Sequence, residues 1–270
     1  MPENLKKATK FLAFDTSTDR MSIALTDGVR VWQHCGAGGA QASSTLIPAI
    51  LALLAESGHQ LGDLDAIAFG RGPGSFTGLR TACAVAQGLA FGARRGAGMP
   101  VLPIDTLMAV AEEARYQAHG GAHPGPLPEG KAEPASPLRV TALLDARMDE
   151  MYVQSYQFNS GLWLQTGGCT LIRPENLVPD TGTQLLAGNV FGVYAQRLPA
   201  ARAGLTCVEA LPTATALLRL APALAAAGHC VEAALALPLY VRDKVAFTSA
   251  ERAASKALAA QAAAAPDRVN

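Results

Sequence analysis

Residues 70–80 of the chain read GRGPGSFTGLR, and the interpretation of the fold begins from this run. A short apolar segment, residues 66–69, precedes it, and a mostly apolar stretch, residues 79–92, follows it. Short apolar segments on either side of glycine and proline punctuation are typical of a buried strand, a tight loop and a helix. The sequence therefore predicts a strand–loop–helix unit at this point.

The glycine loop within this unit has two explanations. Gly72 and Gly74 permit positive φ angles, Pro73 stiffens the turn, and Ser75 or Thr77 can cap the helix that follows. A loop of this kind at a helix N-terminus can hold an anion. It can equally serve as a tight turn that packs the helix on its sheet, and composition alone favours neither explanation.

Further elements precede and follow the glycine loop. Alternating apolar residues and turn dipeptides predict strands at residues 11–15, 21–26, 29–34, 66–69 and 100–104. One helix is expected to begin near Ser43 or Ser44 and to end at Gly58, and a second spans residues 79–92. The first half therefore runs strand, strand, strand, helix, strand, helix, strand.

The second half repeats this order. Its predicted elements are strands at residues 140–145, 151–158, 162–165 and 185–187 and helices at residues 190–198 and 214–227. Three residues of the first turn, Asp15, Asp19 and Met21, reappear 130 positions later as Asp145, Asp149 and Met151. Because both sets fall at a strand–turn–strand, we predict an internal duplication.

The duplication divides the chain into two domains and a tail. The first domain is expected at residues 1–104 and carries the glycine loop. The second is expected at residues 105–245, with a flexible insert rich in Gly, Pro and Ala at residues 119–137. An alanine-rich tail, residues 246–270, completes the chain.

Composition narrows the classes of function. The 270-residue chain has 22 Lys plus Arg and 22 Asp plus Glu, so it lacks the basic excess that gripping RNA phosphates requires. Its five cysteines are scattered without a CxxC pair, which is typical of reduced thiols in a cytoplasmic protein. Arg219, Pro222, Gly228 and Glu232 interrupt the apolar C-terminal third, so no membrane span is expected there.

The duplicated unit, with Asp15 and Asp145 at its first turns, is similar to the actin, hexokinase and Hsp70 superfamily. In that α/β architecture two domains, each with a mixed sheet and flanking helices, hold ATP between their strand–turn–strand elements. The glycine loop, FDTST at residues 14–18 and PLYVRDKVA at residues 238–246 together resemble the TsaB (YeaZ) family. This resemblance spans nearly the whole chain.

The resemblance implies a non-catalytic subunit that pairs with a TsaD-like catalytic subunit, with a TsaE-like ATPase joining the assembly. That complex transfers threonylcarbamoyl to N6 of adenosine 37 in tRNAs that read codons beginning with adenine. The chain alone is expected to form a homodimer, to contact tRNA only through the complex, and to bind no membrane.

Departures from the related TsaD family support a non-catalytic role. Thr106 and Val110 stand where the metal-binding histidines of TsaD would lie, and neither side chain replaces imidazole as a ligand. His119 and His123 also have HxxxH spacing, but the run HGGAHPGP disfavours a helix, so we expect them to be loop histidines. We therefore predict no metal and no cofactor.

The nucleotide cleft is expected to be degenerate. Neither turn contains the glycine that lets backbone amides reach a phosphate. Asp15 and Asp145 either cap their turns or orient a magnesium-bound water, and capping is the expectation. The residues expected at this cleft are Asp15, Gly72, Gly74, Ser75, Asp145 and Gly188. The alternative function is a stand-alone ATP- or metal-dependent enzyme, including the glycoprotease label once given to this branch.

The two helices of the first domain are apolar on nearly every side. Such helices are buried on two faces, so something beyond their own sheet must cover them. The resemblance favours a partner, whereas the second domain or the C-terminal segment is the alternative. The predicted partner-binding residues are Leu46, Ile47, Ile50, Leu51, Leu54, Ala82, Val85, Ala86, Leu89 and Ala90.

Overall fold

The computed structural model describes residues 9–93, 98–118, 137–198 and 204–242. The first half forms β1 (Phe11–Asp15), β2 (Arg20–Thr26), β3 (Val31–Ala37), α1 (Ala42–Ser57), β4 (Ala66–Gly72), α2 (Phe76–Gly92), β5 (Val101–Asp105) and α3 (Thr106–Ala118). The second half forms β6 (Leu138–Arg147), β7 (Glu150–Asn159), β8 (Leu162–Gln165), β9 (Thr170–Ile172), β10 (Leu185–Gly188), β11 (Thr206–Glu209) and α4 (Ala214–Ala226).

The strands form two mixed sheets with the same topology. The first sheet has the order β3-β2-β1-β4-β5, and the second has the order β8-β7-β6-β10-β11, with β9 paired to β7 outside that path. In each sheet the first hairpins are antiparallel, and the two later strands run parallel to the first. This repeated order agrees with the predicted internal duplication and with the predicted α/β class.

The first sheet is covered on both faces. Along β1, Leu12 and Phe14 point into a core with α1 and α2, whereas Phe11 and Ala13 point into a core with α4. This alternation follows from the two-residue period of a strand. The sequence division assigned α4 to the domain at residues 105–245, but the helix packs on the first sheet and thereby ties the two halves together.

The second sheet is covered by one helix and one irregular segment. Helix α3 packs on the face that carries Val140 and Leu144. On the other face, residues 190–198 form successive turns that bury Tyr194 and Leu198. The predicted helix at 190–198 is therefore wrong, and the short strands β9 and β11 were not predicted. Gly192 in the middle of this segment lowers its helix propensity.

Residues 231–242, which we call the crossing segment, run from the back of the first domain towards the second. Val231 forms an antiparallel bridge with Val101. Farther along, the carbonyl of Ala236 accepts hydrogen bonds from Cys83 Sγ (2.9 Å) and Gln87 Nε2 (3.1 Å) on α2. The segment therefore fixes one flank of α2. The HxxxH pair, the tail at residues 246–270, and the insert at residues 119–137 except for its last residue lie outside the described residues.

Candidate functional site

The first and second strand–turn–strand elements line one cleft of about 600 Å³ between the two sheets. Of the residues predicted at a nucleotide site, Gly74, Ser75 and Asp145 line this cleft. Asp15, Gly72 and Gly188 lie outside its lining. The structure thus brings together part of the predicted set, and the remainder supports the backbone behind the cleft.

Asp15 is buried at the end of β1 and caps the first turn. Its Oδ1 accepts hydrogen bonds from the backbone amide of Ser17 (2.8 Å) and from Ser17 Oγ (2.6 Å). Its Oδ2 has no hydrogen-bond partner within the part of the chain that the structure describes. Burial raises the pKa of Asp15 to about 6, although the bonds from Ser17 act in the opposite direction. The backbone amide of Ser17 is therefore bonded to the Asp15 carboxylate and is not available to a ligand.

The glycine loop needs glycine for two reasons, a positive φ at one position and close contact with the first turn at another. Gly72 has φ +124°, as predicted for a residue that requires glycine, and its amide donates to Thr106 Oγ1 at 3.1 Å. Gly74, for which the sequence allowed a positive φ, does not have one. Glycine is required there because an added Cβ would lie 2.6 Å from Ser17 Cβ and 2.7 Å from Ser17 O. Ser75 caps α2 by accepting a hydrogen bond from the Gly78 amide, which confirms its predicted capping role.

A second contact fastens α2 to the first turn, and the sequence did not reveal it. Thr16 Oγ1 donates to the carbonyl of Gly78 at 2.8 Å, and the amide of Ser75 donates to Ser17 O at 2.7 Å. Thr16 and Ser17 belong to the FDTST motif, which was the available signal. The FDTST motif and the glycine loop therefore contact each other directly and position the start of α2.

The second turn has an unusual backbone. Arg147, Met148 and Asp149 all have positive φ angles, of 62°, 57° and 61°. Non-glycine residues in this region are strained, so surrounding contacts must hold the turn. Arg242 of the crossing segment donates to the carbonyls of Ala146 and Arg147. It also forms an ion pair with Glu150 at 2.8 Å.

Asp145 caps this second turn as predicted. Its Oδ1 accepts hydrogen bonds from the amide of Arg147 and from the Tyr194 hydroxyl, both at 2.9 Å. Its own amide donates to Asn189 Oδ1 at 2.9 Å. Burial and the neighbouring Asp145 raise the pKa of Tyr194. Beside Asn189, Gly188 has φ +155°, and an added Cβ would lie 1.8 Å from Leu143 O. Gly188 thus allows β10 to approach β6.

The positions at which TsaD-like histidines would stand have structural roles. Thr106 is buried and accepts the hydrogen bond from Gly72, and Val110 is buried in the core of the second sheet. Among the described residues, no three His, Cys, Asp or Glu side chains lie close enough together to hold a metal ion. Thr106 and Val110 supply no imidazole ligand.

The predicted partner-binding residues divide between the core and the surface. The structure buries six of them against the first sheet, namely Leu46, Ile50, Leu54, Ala82, Ala86 and Ala90. Assigning these six to a partner surface was wrong, because helices that are apolar on every side give no sequence signal for their outward face. Val85 and Leu89 are partly buried, whereas Ile47 and Leu51 are exposed at 44% and 55%.

The outward face of α1 and α2 is nevertheless apolar. Besides Ile47 and Leu51 it exposes Phe91 at 58%, which the prediction missed. Phe76, at the start of α2, is 39% exposed but lines the cleft and packs on Tyr240, with ring centroids 4.9 Å apart. Smaller exposed residues of these helices are Ala52, Ala55, Ala84, Gly88 and Gly92. Residues 39–57 are long and apolar enough to cross a membrane by composition, but α1 packs its inner face on the first sheet. We call this exposed surface the α1–α2 face.

The chain forms two sheets of the same strand order, with helices on the sheet faces and two repeated turns lining the cleft. This arrangement defines a two-domain α/β protein of the actin-like class. The family model described as "TsaD: tRNA N6-adenosine threonylcarbamoyltransferase" matches residues 39–267. The chain belongs to this family, and within it to the TsaB (YeaZ) proteins.

Several relatives support that assignment. The tRNA threonylcarbamoyladenosine biosynthesis protein TsaB of Escherichia coli is 32% identical, covering 88% of this chain and 96% of the relative. The TsaB protein of Haemophilus influenzae is 34% identical, covering 87% and 94%. The solved structure of YeaZ from Pseudomonas aeruginosa is 38% identical, covers 86% of this chain and 99% of its own, and superposes with a TM-score of 0.71.

Proposed function

We propose that this protein is a non-catalytic, cytoplasmic subunit in the biosynthesis of tRNA threonylcarbamoyladenosine. In this proposal it supports a TsaD-like catalytic subunit, with a TsaE-like ATPase in the assembly, and it meets tRNA through the complex. Alone, it pairs with a second copy of itself. The family membership supports the pathway, and the features of the chain described below support the accessory role.

The observation that carries the partner role is the α1–α2 face. Soluble monomers rarely expose contiguous apolar surface of this kind, and such surface marks an interaction site. Ile47, Leu51 and Phe91 supply large apolar side chains, and the small residues of the same helices allow a partner helix to approach closely. Large apolar anchors surrounded by small residues are suited to packing against helices of a second protein.

The cleft supports a role without chemistry of its own. Phosphate binding between two such turns depends on free backbone amides. In the first turn the amide of Ser17 is already bonded to Asp15, and in the second the amide of Arg147 is bonded to Asp145. In each turn, one backbone amide that could bind a nucleotide phosphate is therefore occupied by the chain's own carboxylate.

The test of the partner role is a single charge on the α1–α2 face. In Leu51→Glu the new carboxylate lies on the surface of the free protein, so folding should be retained. Burying it unpaired against a partner should cost several kcal/mol, or about a thousandfold in affinity. The matched control is Val178→Glu, at an apolar residue that is 84% exposed and lies in the second half of the chain.

Sedimentation would report self-association, and calorimetry would report binding to the TsaD-like subunit of the same organism. We expect Leu51→Glu to weaken both and Val178→Glu to change neither, at equal melting temperatures. If Leu51→Glu is folded and pairs with wild-type affinity, the α1–α2 face is not the interface.

A further inference from the structure

A second cavity, of about 660 Å³, lies on the side of the molecule where α3 and α4 pack together. None of its lining residues lines the cleft between the two turns. Its walls are largely apolar and include Phe11, Val31, Met108, Phe158, Trp163 and Leu224. A volume of this size with mostly apolar walls is typical of sites that bind small molecules.

Buried charges line one wall of this cavity. Glu112 on α3 is buried and accepts hydrogen bonds at both carboxylate oxygens. Arg115 donates to it through Nε (2.8 Å) and Nη2 (3.0 Å), Arg219 of α4 through Nε (2.8 Å), and Trp163 through Nε1 (3.0 Å). Each oxygen thus has two donors, so Glu112 has little remaining capacity to accept a hydrogen bond from a ligand.

The guanidinium of Arg219 retains a donor. Its Nε bonds to Glu112, and its Nη2 bonds to Glu113 Oε2 at 2.6 Å. Thr213 Oγ1 also donates to that oxygen of Glu113, at 2.7 Å. Nη1 of Arg219 has no partner among the described residues and is not enclosed, and Arg219 lines the cavity. The polar wall therefore offers a charged donor and no free carboxylate.

Stability alone does not account for this arrangement. Moving ion pairs out of water costs desolvation energy, and well-packed apolar residues are often as stabilising in their place. The contact between α3 and α4 could be apolar, as the contacts of α4 with the first sheet largely are, apart from the hydrogen bond from the Ala214 amide to Ser22 Oγ. A rigid charged donor held at an apolar cavity is instead the arrangement by which a protein fixes the orientation of a bound molecule.

We propose that this cavity binds one small molecule with an apolar, aromatic body and a single anionic group. The body packs against Trp163, Met108 and Phe158, and the anionic group accepts a hydrogen bond from Nη1 of Arg219. A cationic group would find no unoccupied carboxylate among the described residues of this wall. A dianion would face the carboxylates of Glu112 and Glu113. This proposal does not rest on the proposed role in tRNA modification.

The probes for this site are two dyes that differ by one anionic group. Anilinonaphthalenesulfonate has an aromatic body and a sulfonate, whereas phenylnaphthylamine has the same rings without the charge. Fluorescence titration of the wild-type protein should give one saturable site for each, with the anionic dye bound roughly tenfold more tightly, as expected for one charge-assisted hydrogen bond. Equal affinities, or no saturable binding, would overturn the proposal.

Two pairs of variants locate the site. Ala223→Phe, on the cavity-lining part of α4, should weaken both dyes more than tenfold, while Ala226→Phe, exposed on the same helix outside the lining, should weaken neither. Leu162→Asp, at a cavity residue that is 60% exposed, should weaken only the anionic dye. Its control, Leu164→Asp on the same strand, is 64% exposed and outside the lining.

The variants at Leu162 and Leu164 keep the test decisive if the helix variants misfold, because both positions are on the surface and their substitution should leave the fold intact. If folded Ala223→Phe binds both dyes like the wild type, the dyes lie elsewhere and the proposal is wrong. The same conclusion follows if Leu162→Asp and Leu164→Asp behave alike.

Discussion

The contact between α2 and the first turn can be tested by adding one methyl group. Gly78 lies in the first turns of α2 and is buried against the FDTST motif. In Gly78→Ala the new Cβ would lie 1.8 Å from Thr16 O, where ordinary contact begins near 3.4 Å. The start of α2 must therefore move by about 1.6 Å away from the turn.

That displacement has a calculable cost. It disrupts the bond from Thr16 Oγ1 to Gly78 O and the bond from the Ser75 amide to Ser17 O, each worth about 1 kcal/mol. Overpacking adds about 1–3 kcal/mol, and the better helix propensity of alanine returns about 1 kcal/mol. The net destabilisation should be about 2–4 kcal/mol.

The matched control is the same substitution on the same helix. Gly88 is exposed, and an added Cβ there meets no atom within 4 Å. Gly88→Ala should therefore raise stability by about 1 kcal/mol through helix propensity. Urea unfolding followed by circular dichroism gives both values. If the two variants change stability in the same direction, close approach of α2 to the first turn is not what requires glycine at 78.

Three further outcomes are expected. Burial raises the folded-state pKa of Asp15 to about 6, so the protonated carboxyl stabilises the fold. This contribution is fully present below the unfolded pKa of about 4 and is lost as the pH rises through about 6. Asp15→Asn should remove this pH dependence from the free energy of unfolding measured with urea. Arg219→Ala removes one of the two arginines paired with Glu112 and the arginine paired with Glu113, and it should cost about 3–5 kcal/mol in the same assay, whereas Arg197→Ala, at a more exposed pair, should cost much less. Arg242→Ala should speed amide hydrogen exchange at residues 146–149 with a small change in melting temperature, and unchanged exchange there would show that Arg242 does not hold the strained turn.

The order of elements from β1 to β5 could be predicted because punctuation and periodicity agreed locally. The glycine loop at 70–78 separates a buried strand from a helix, and Asp27-Gly28 turns β2 into β3. The aspartates that end β1 and lie in β6 marked the duplication. These signals depend on neighbouring residues, which a sequence displays directly.

What could not be predicted depended on contacts between distant segments. Ala86 and Leu51 were equivalent in an all-apolar pattern, yet one is buried and the other is exposed. The sequence allowed positive φ at Gly74, but glycine is needed there because Ser17, far away in the chain, lies against it. The return of α4 to the first sheet and the second cavity likewise arise only when both halves are packed together.

The central claim is that this protein supports tRNA modification through its α1–α2 face. The most direct measurement is the content of threonylcarbamoyladenosine in tRNA, by mass spectrometry of nucleosides, from cells depleted of the protein and supplied with a variant. We predict that depletion lowers this nucleoside, that wild type and Val178→Glu restore it, and that folded Leu51→Glu does not. An unchanged content after depletion, or full restoration by Leu51→Glu, would contradict the account.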